Sequence, residues 1–153
     1  MKFRLAAPSE DAAVGRLITE SFEPITWYRE VDERFGALNG CDWRERWRMR
    51  LEEAFAREIV LVMEVDGEIA AAAAGTYDPR TALGFIDLLA VDSRRQRGGL
   101  GRAMLNAMCD HFRGLGALYV NLDCLANNEA GMKLYESEGW TSLAPSVKWF
   151  RKL

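Results

Sequence analysis

The clearest pattern of apolar and polar positions lies between residues 83 and 125. An apolar run of strand length, Gly84 to Val91, carries a single acid, Asp87, in its middle. A glycine-rich stretch follows, and from Leu100 to Met108 apolar residues recur at helical spacing. A second apolar run, Ala117 to Leu125, completes the pattern. The order strand, glycine loop, helix, strand predicts a βαβ unit with parallel strands and a right-handed crossover.

The rest of the chain is divided by the same criteria. Alternation predicts a first strand, helical spacing predicts helices, and Asp66-Gly67 predicts a hairpin turn between two antiparallel strands. The predicted elements are a strand at 2–7, helices at 9–22, 25–31 and 41–57, strands at 58–65 and 68–76, and a closing hairpin at 140–143 and 147–153. The strand after the hairpin turn contains the run Ala70 to Gly75, whose small side chains predict close packing against it.

Composition limits the class of protein. The chain has 153 residues, 49% of them hydrophobic and 28% charged, which predicts one globular domain over residues 1–153. Its net charge of −3 gives no global basic character for binding nucleic acid, and its apolar runs are too short to span a membrane. Three separated cysteines without CxxC spacing predict reduced thiols and a cytoplasmic protein. The single histidine, His111, excludes most histidine-based metal sites, so no metal is expected.

The glycine loop has the features of an anion site. Gly98, Gly99 and Gly101 allow backbone amides to approach a ligand, and the following helix start adds free amides and partial positive charge. Arginines at 94, 95, 97 and 102 surround the loop. The simpler interpretation is a flexible basic turn. Neither a Walker A loop nor a G-x-G-x-x-G fingerprint fits, because Gly-Lys-Ser/Thr is absent and the glycines fall as G-G-x-G.

Two segments resemble the GNAT superfamily of N-acetyltransferases. Residues 96–101, Gln-Arg-Gly-Gly-Leu-Gly, match the [QR]-x-x-G-x-[GA] signature of its acyl-CoA loop. Residues 128–140 resemble the N-x-x-A-x-x-L-Y-x-x-x-G-F segment, with departures at Gly131 and Trp140 that keep the size class. The resemblance implies an α/β (α+β) fold with a mixed, mostly antiparallel central sheet of about seven strands. A parallel pair is joined by a crossover helix, and helices cover both faces.

The resemblance also implies a set of binding residues for acetyl-CoA as co-substrate. The two parallel strands splay apart, and the pantetheine arm lies between them. Backbone groups of Leu89, Ala90 and Val91 would bind the acetyl and pantetheine end, and Asn128 would contact the arm or fix the loop. The pyrophosphate would be held in the loop by Gln96, Arg97, Gly98, Gly99, Leu100, Gly101, Arg102 and Ala103. In the family, the segment between the first and second strands forms one wall of the acceptor site, which implies acceptor contacts for Trp27 and Tyr28. Both aromatic residues could equally be part of the hydrophobic core.

The implied chemistry is the attack of a neutral amine on a thioester. The amide of Leu89 is the expected oxyanion donor, and Tyr135 matches the family's general acid. Asp87 is the only acid in its strand, and strict alternation would place it on the same face as Leu89 and Val91. It could act as the base and contact the acceptor, or it could only order water or the positive charge of the acceptor.

Other classes of function remain open at this stage. One is a non-catalytic acyl-CoA sensor, which the presence of Tyr135 argues against. Another is an interaction domain built on the helix segment Trp43 to Arg50, where tryptophans and arginines alternate. The helical spacing and the interleaved glutamates favour a packed amphipathic helix instead. The acceptor could be a small amine, an amino acid or a protein N-terminus, and a homodimer is compatible with the resemblance.

Overall fold

The computed structural model describes residues 1–153 as one sheet with helices on both faces. The strands are β1 (Lys2–Leu5), β2 (Ile59–Val65), β3 (Glu68–Asp78), β4 (Leu83–Val91) and β5 (Tyr119–Leu122), and the helices are α1 (Asp11–Phe22), α2 (Trp27–Phe35), α3 (Trp43–Arg57), α4 (Leu100–Leu115) and α5 (Glu129–Ser137). The strand order is β1-β2-β3-β4-β5, and all pairs are antiparallel except β4 with β5. The predicted βαβ unit is confirmed, with α4 as its crossover helix.

The alanine run of β3 forms the centre of the sheet. Ala70 to Ala74 are completely buried, because α1 and α3 cover one face of the sheet and α4 covers the other. The close packing is greatest at Phe112 of α4, whose ring lies against two glycines. A Cβ at Gly84 would come within 2.6 Å of that ring, and a Cβ at Gly75 would meet the carbonyl oxygen of Phe85 at 2.1 Å. The expectation that small side chains in this strand permit close packing is therefore confirmed.

Helix α3 packs by its apolar residues and neutralises its arginines. Trp47 and Leu51 are buried in the core beneath α1. The four arginines between Arg44 and Arg50 each have a carboxylate partner, in the pairs Arg44–Glu23, Arg46–Asp32, Arg48 with Glu45 and Glu52, and Arg50–Asp87. The interpretation of this segment as a packed amphipathic helix is thus confirmed, since its apolar face is buried and these arginines are paired within the chain.

The C-terminal segment differs from the prediction. The sheet has five strands, and residues 141–153 form none, so the predicted closing hairpin was wrong. The reason lies in β5, which spans only Tyr119–Leu122 and offers a short edge for a further strand. The segment instead runs past α2, where Phe150 packs on Phe35 with ring centroids 4.8 Å apart. None of the helices combines the length and the apolar character that a membrane crossing needs.

Candidate functional site

Strands β4 and β5 separate along their length and leave a gap. They pair only where Leu83–Ile86 lie beside Tyr119–Leu122. The remainder of β4, Asp87–Val91, has β3 on one side and no strand on the other. Backbone groups on that open side have no partner in the sheet, so an extended ligand can pair with them.

Alternation decides which backbone groups of β4 face the gap. The N–H of Asp92 donates to Ala70 of β3, which directs the even-numbered residues toward β3. The carbonyl of Val91 faces the other way and accepts from the side chain of Gln96 at 3.5 Å. Leu89 therefore points its N–H and C=O into the gap. The backbone groups of Ala90, which was also expected to bind ligand, face its register partner Ala72 instead of the gap.

A bulge in β4 determines where Asp87 points. Ala74 lies opposite Leu88 and Gly75 lies opposite Ile86, so Asp87 is the extra residue of the ladder. The bulge shifts the alternation of side chains by one residue, so Asp87 and Leu89 point to opposite faces of the sheet. The side chain of Asp87 pairs with Arg50 of α3 at 2.9 Å, whereas Leu89 packs on the α4 side of the sheet. The predicted common face of Asp87 and Leu89 was therefore wrong, since strict alternation does not hold across a bulge.

The gap between β4 and β5 adjoins a small cavity lined by residues from several segments of the chain. The cavity has a volume of ≈ 60 Å³. Asp87 and Leu89 line it from β4, Cys124 lines it from the segment after β5, and Tyr135 lines it from α5. The structure thus brings together the three residues expected to carry the chemistry, Asp87, Leu89 and Tyr135, which are up to 48 positions apart in the sequence.

Tyr135 lies in an environment that keeps its phenol protonated. Burial raises the pKa of Tyr135 to about 12, and the neighbouring Cys124 adds to this effect when ionised. The hydroxyl makes no hydrogen bond within the chain, and the ring packs against Trp140 with centroids 5.8 Å apart. A protonated phenol without an internal partner is available to donate to a ligand in the cavity.

Cys124 is a thiol at cellular pH. Burial raises the pKa of Cys124, and its Sγ lies 3.6 Å from the carbonyl oxygen of Leu125 and 3.9 Å from that of Asn128. A cysteine attacks an acyl group as the thiolate. The environment therefore disfavours the thiolate form of Cys124.

Two residues that the sequence did not single out lie behind Asp87. Arg50 holds the Asp87 carboxylate, and the Glu58 carboxyl lies against Asp87 from the start of β2. Burial raises the pKa of Glu58 to about 8, and contact with Asp87 adds to this shift. No local signal could have found this cluster, because its members come from α3, β2 and β4 and meet only in the folded chain.

The glycine loop leaves the start of α4 open. Arg97 and Gly99 both have left-handed backbone conformations, with φ of 68° and 78°, and Gly99 is the N-cap of α4. The amides of Leu100, Gly101 and Arg102 precede the first intrahelical bond and have no helical acceptor. Ala103 differs, because its N–H already donates to Gly99 O at 3.1 Å. The Ala103 amide, which was expected to bind the pyrophosphate, therefore already has an acceptor within the helix.

Only one of the four arginines around the loop lacks a carboxylate partner. Arg94 pairs with Asp92 at 2.7 Å, Arg95 with Glu68 at 2.7 Å, and Arg102 with Glu138 at 2.5 Å. Arg97 makes no ion pair. The positive charge available to an anion at this loop is therefore concentrated in Arg97 and the helix amides.

Asn128 organises the start of α5. Its Oδ1 accepts from the N–H of Gly131 at 3.0 Å, so the side chain is the N-cap of the helix that carries Tyr135. A Cβ at position 131 would lie 2.5 Å from Asn128 Nδ2. Gly131, where the family pattern has alanine, thus leaves room for the capping side chain of Asn128. Asn128 also lines the cavity beside Tyr135.

The two aromatic residues expected at the acceptor site have different environments. Trp27 lines a groove of ≈ 750 Å³ that adjoins the cavity, and Lys148 of the C-terminal segment lies 5.0 Å from the centre of its ring. Tyr28 is outside the groove and packs against Trp47, with ring centroids 5.5 Å apart. Trp27 thus lines the groove, whereas Tyr28 packs between α2 and α3. No three His, Cys, Asp or Glu side chains are clustered closely enough to hold a metal ion.

The comparison with known families agrees with this geometry. The sequence model of the acetyltransferase (GNAT) family matches residues 22–140. The chain belongs to the GNAT acetyltransferase family. The matched range contains the glycine loop, the open edge of β4 and Tyr135. The family resemblance inferred from residues 96–101 and 128–140 is thereby confirmed.

Individual relatives of this GNAT protein agree in fold. A mycothiol acetyltransferase of Geodermatophilus obscurus is 39% identical over 70 residues, which are 46% of this chain and 23% of that protein. The chain thus matches less than a quarter of that relative's length. The BH1408 protein of Bacillus halodurans, solved as a tetramutant, has a TM-score of 0.71 at 23% identity and covers 99% of this chain and 100% of its own. An aminoglycoside N-acetyltransferase in complex with CoA has a TM-score of 0.68 at 10% identity, and the match covers 99% of this chain and 95% of that chain.

Proposed function

We propose that this protein is an acetyl-CoA-dependent N-acetyltransferase that acts on a primary amine by direct attack in a ternary complex. The observation that carries the proposal is the cavity at the end of the gap. There the Leu89 amide, the Asp87 carboxylate and the Tyr135 phenol surround one small volume. An oxyanion donor, a proton acceptor and a proton donor within one cavity are the groups that acyl transfer to an amine requires.

The residues along the gap fit acetyl-CoA, which supplies an activated acetyl thioester when bound. The helix amides after Gly99 and the side chain of Arg97 suit its pyrophosphate. The unpaired backbone of Leu89 and the N–H of Val91 suit the amides of its pantetheine arm, whereas the Val91 carbonyl already accepts from Gln96. These groups lie in the order in which the ligand would need them, from the loop to the cavity.

Each residue of the cavity has a defined part in the proposed reaction. The Leu89 N–H donates to the carbonyl oxygen as negative charge develops on it. Asp87 takes a proton from the acceptor's ammonium group, which leaves the electron pair on nitrogen for attack. Tyr135 gives its proton to the sulfur as the C–S bond breaks and the N–C bond forms, and it recovers a proton from the acylated nitrogen. The products are an amide, a thiol and one proton held by Asp87, so the overall charge is unchanged.

The groove beside the cavity supports a cationic acceptor. Four acids line it, Glu23, Glu30, Glu33 and Asp123, against two basic residues, Arg29 and Lys148. The three glutamates are paired with arginines. Asp123 has no such partner, and it lines both the groove and the cavity. We assign to Asp123 the binding of the acceptor's ammonium group as it enters.

The proposal is tested by thiol release from acetyl-CoA in the presence of a panel of amines. The panel contains aminoglycosides, polyamines, amino acids and peptides with free N-termini, and the three cysteines of the protein give a constant background that is subtracted. We expect one class of cationic amine to release CoA in proportion to the acetylated product detected by mass spectrometry. Thermal stabilisation by acetyl-CoA without turnover on any class would favour the acyl-CoA sensor instead.

A further inference from the structure

The carboxyl group of Glu58 lies beside that of Asp87, and no donor of the chain bonds to its Oε2. Oε2 of Glu58 is buried and has no hydrogen-bond partner. On the far side of the pair, Arg50 uses Nη2 to hold Asp87 at 2.9 Å, while its buried Nη1 has no acceptor. The two carboxyl groups therefore have one arginine near them, and Arg50 bonds to Asp87 only.

This arrangement favours the binding of one proton. Two carboxylates in contact repel each other, and burial increases the cost of ionising both. A proton on one of them removes the repulsion and supplies the missing hydrogen bond. Because Arg50 bonds to Asp87 and not to Glu58, we place the proton mainly on Glu58. The pair behaves as one unit with a single proton that is held more firmly than by an isolated carboxyl group.

The two members of the pair differ in their access to the cavity. Asp87 lines it, whereas Glu58 does not and reaches it only through Asp87. Glu58 lies at the junction of α3 and β2, on the side of the sheet that carries Arg50. A proton taken up by Asp87 at the cavity can therefore be passed to Glu58 and kept away from the reacting atoms.

We propose that Glu58 is a positioning residue that shares one proton with Asp87, and that the fully ionised pair takes a proton from the acceptor's ammonium group through Asp87. This inference rests on the proposed acetyltransferase function. The acceptor's N–H bond breaks, its electron pair stays on nitrogen for attack, and the proton ends between the two carboxyl groups. The pair returns to its starting state when the proton leaves to solvent after the reaction.

The charges around Glu58 set the pH at which the pair works. Asp87 from β4 raises the pKa of Glu58, and burial raises it further, whereas Arg50 and Arg57 from α3 lower it. The balance is a pKa of about 8. A base whose pKa lies near the operating pH is the most effective, because it is partly ionised and still accepts a proton readily.

The test is the pH dependence of kcat and kcat/KM for wild type, Glu58→Gln and the control Glu53→Gln. Glutamine at 58 can donate to Asp87 as a protonated glutamate does, but it cannot lose the proton. Glu53 is an exposed acid on the same helix, so its substitution removes the same charge without touching the pair. Two acceptors whose amines differ in pKa are used. If the rate rises because the acceptor loses its proton, the pH of the rise shifts with the pKa of the acceptor. If it rises because an enzyme group loses its proton, the pH of the rise is the same with both acceptors.

We expect the wild-type kcat to rise through an apparent pKa near 8 that is the same with both acceptors. Glu58→Gln should lose this pH-dependent rise and lower kcat about 100-fold, the lower end of the range of general-base effects, while Glu53→Gln should match wild type. A Glu58→Gln profile that rises at the wild-type pH would overturn the carboxyl pair and leave the acetyltransferase function standing. Absence of turnover in wild type with every acceptor would overturn both.

A direct titration gives a second readout that does not depend on turnover. In protein labelled with ¹³C at glutamate carboxyl groups, the Glu58 resonance should titrate near pH 8. In Asp87→Asn it should titrate at clearly lower pH, because the asparagine amide can donate to the ionised carboxylate. A Glu58 resonance that titrates in the ordinary carboxyl range in wild type contradicts the proposal.

Discussion

The substitution Tyr135→Phe removes one hydroxyl from the cavity and leaves the ring in place. The hydroxyl has no hydrogen-bond partner in the chain, and the contact of the ring with Trp140 is retained. We therefore expect the free energy of unfolding to change by less than about 0.5 kcal/mol, as for substitutions that break no internal interaction. The substitution should therefore lower the rate of acetyl transfer without lowering the stability of the fold.

The size of that loss depends on how easily the phenol can give up its proton. A phenol of pKa about 12 would protonate an ordinary thiolate uphill by about 5 kcal/mol. The cavity reduces this difference, because burial disfavours the thiolate as well. Cys124 shows this effect beside Tyr135, where burial raises its pKa. A leaving thiolate in the same cavity is likewise a stronger base than in water.

The expected result is a fall in kcat of about 100- to 10,000-fold, the usual contribution of a general acid, with little change in the KM for acetyl-CoA. Thiol release measures the rate, and the rise in melting temperature with acetyl-CoA confirms that binding is retained. Tyr119→Phe is the matched control, since Tyr119 is 69% exposed on β5 and lies outside the cavity. A Tyr135→Phe protein that keeps most of its wild-type kcat would refute the assignment of Tyr135 as the acid.

Three further predictions concern the sheet, the loop and the response to acid. Gly75→Ala should destabilise the protein by about 3 kcal/mol or more, because its Cβ meets the Phe85 carbonyl at 2.1 Å. Gly114→Ala, at a helical site with no atom within 4 Å, should stabilise it by about 0.5 kcal/mol, and chemical denaturation measures both. Arg97→Gln should raise the KM for acetyl-CoA several-fold at low salt without changing the melting temperature, whereas Arg80→Gln, which is remote from the loop, should not; an unchanged KM would contradict the role of Arg97. Arg4 lowers the pKa of Glu10 to about 2, so this carboxylate stabilises the fold above its ordinary pKa, and the stabilisation is lost as the pH falls toward 2. Glu10→Gln should reduce the dependence of the unfolding free energy on pH in this range. An unchanged dependence at acidic pH would contradict the contribution of Glu10.

The features that could be predicted from the sequence are those encoded in short stretches. The apolar run, the glycine loop and the periodic helix between residues 84 and 115 each have a local signature, and their order determines the parallel connection. Tyr135 could be found for a similar reason, because it lies within a motif of 13 contiguous residues from Asn128 to Trp140. The gap between β4 and β5 follows from the same resemblance.

The features that could not be predicted depend on distant partners or on one-residue irregularities. Arg50 and Glu58 look like ordinary surface charges until α3 and β2 bring them against Asp87. The apolar residues after Trp140 suggested two strands, but a strand also needs an edge to pair with, and β5 is only four residues long. The free charge of Arg97 could not be distinguished from that of its neighbours, because their carboxylate partners at 68, 92 and 138 are mostly remote in sequence.

The bulge at Asp87 links the two halves of the proposed reaction. In a regular strand the side chain of residue 87 would lie on the same face as that of Leu89, toward α4, where no arginine of α3 could reach it. The extra residue turns Asp87 toward Arg50 and Glu58, while Leu89 keeps its N–H directed into the gap. The proton acceptor and the oxyanion donor thus border the same cavity although their side chains belong to opposite faces of the sheet. A deletion that restores regular pairing between β3 and β4 would separate these groups, and the chemistry would be lost even where the fold survives.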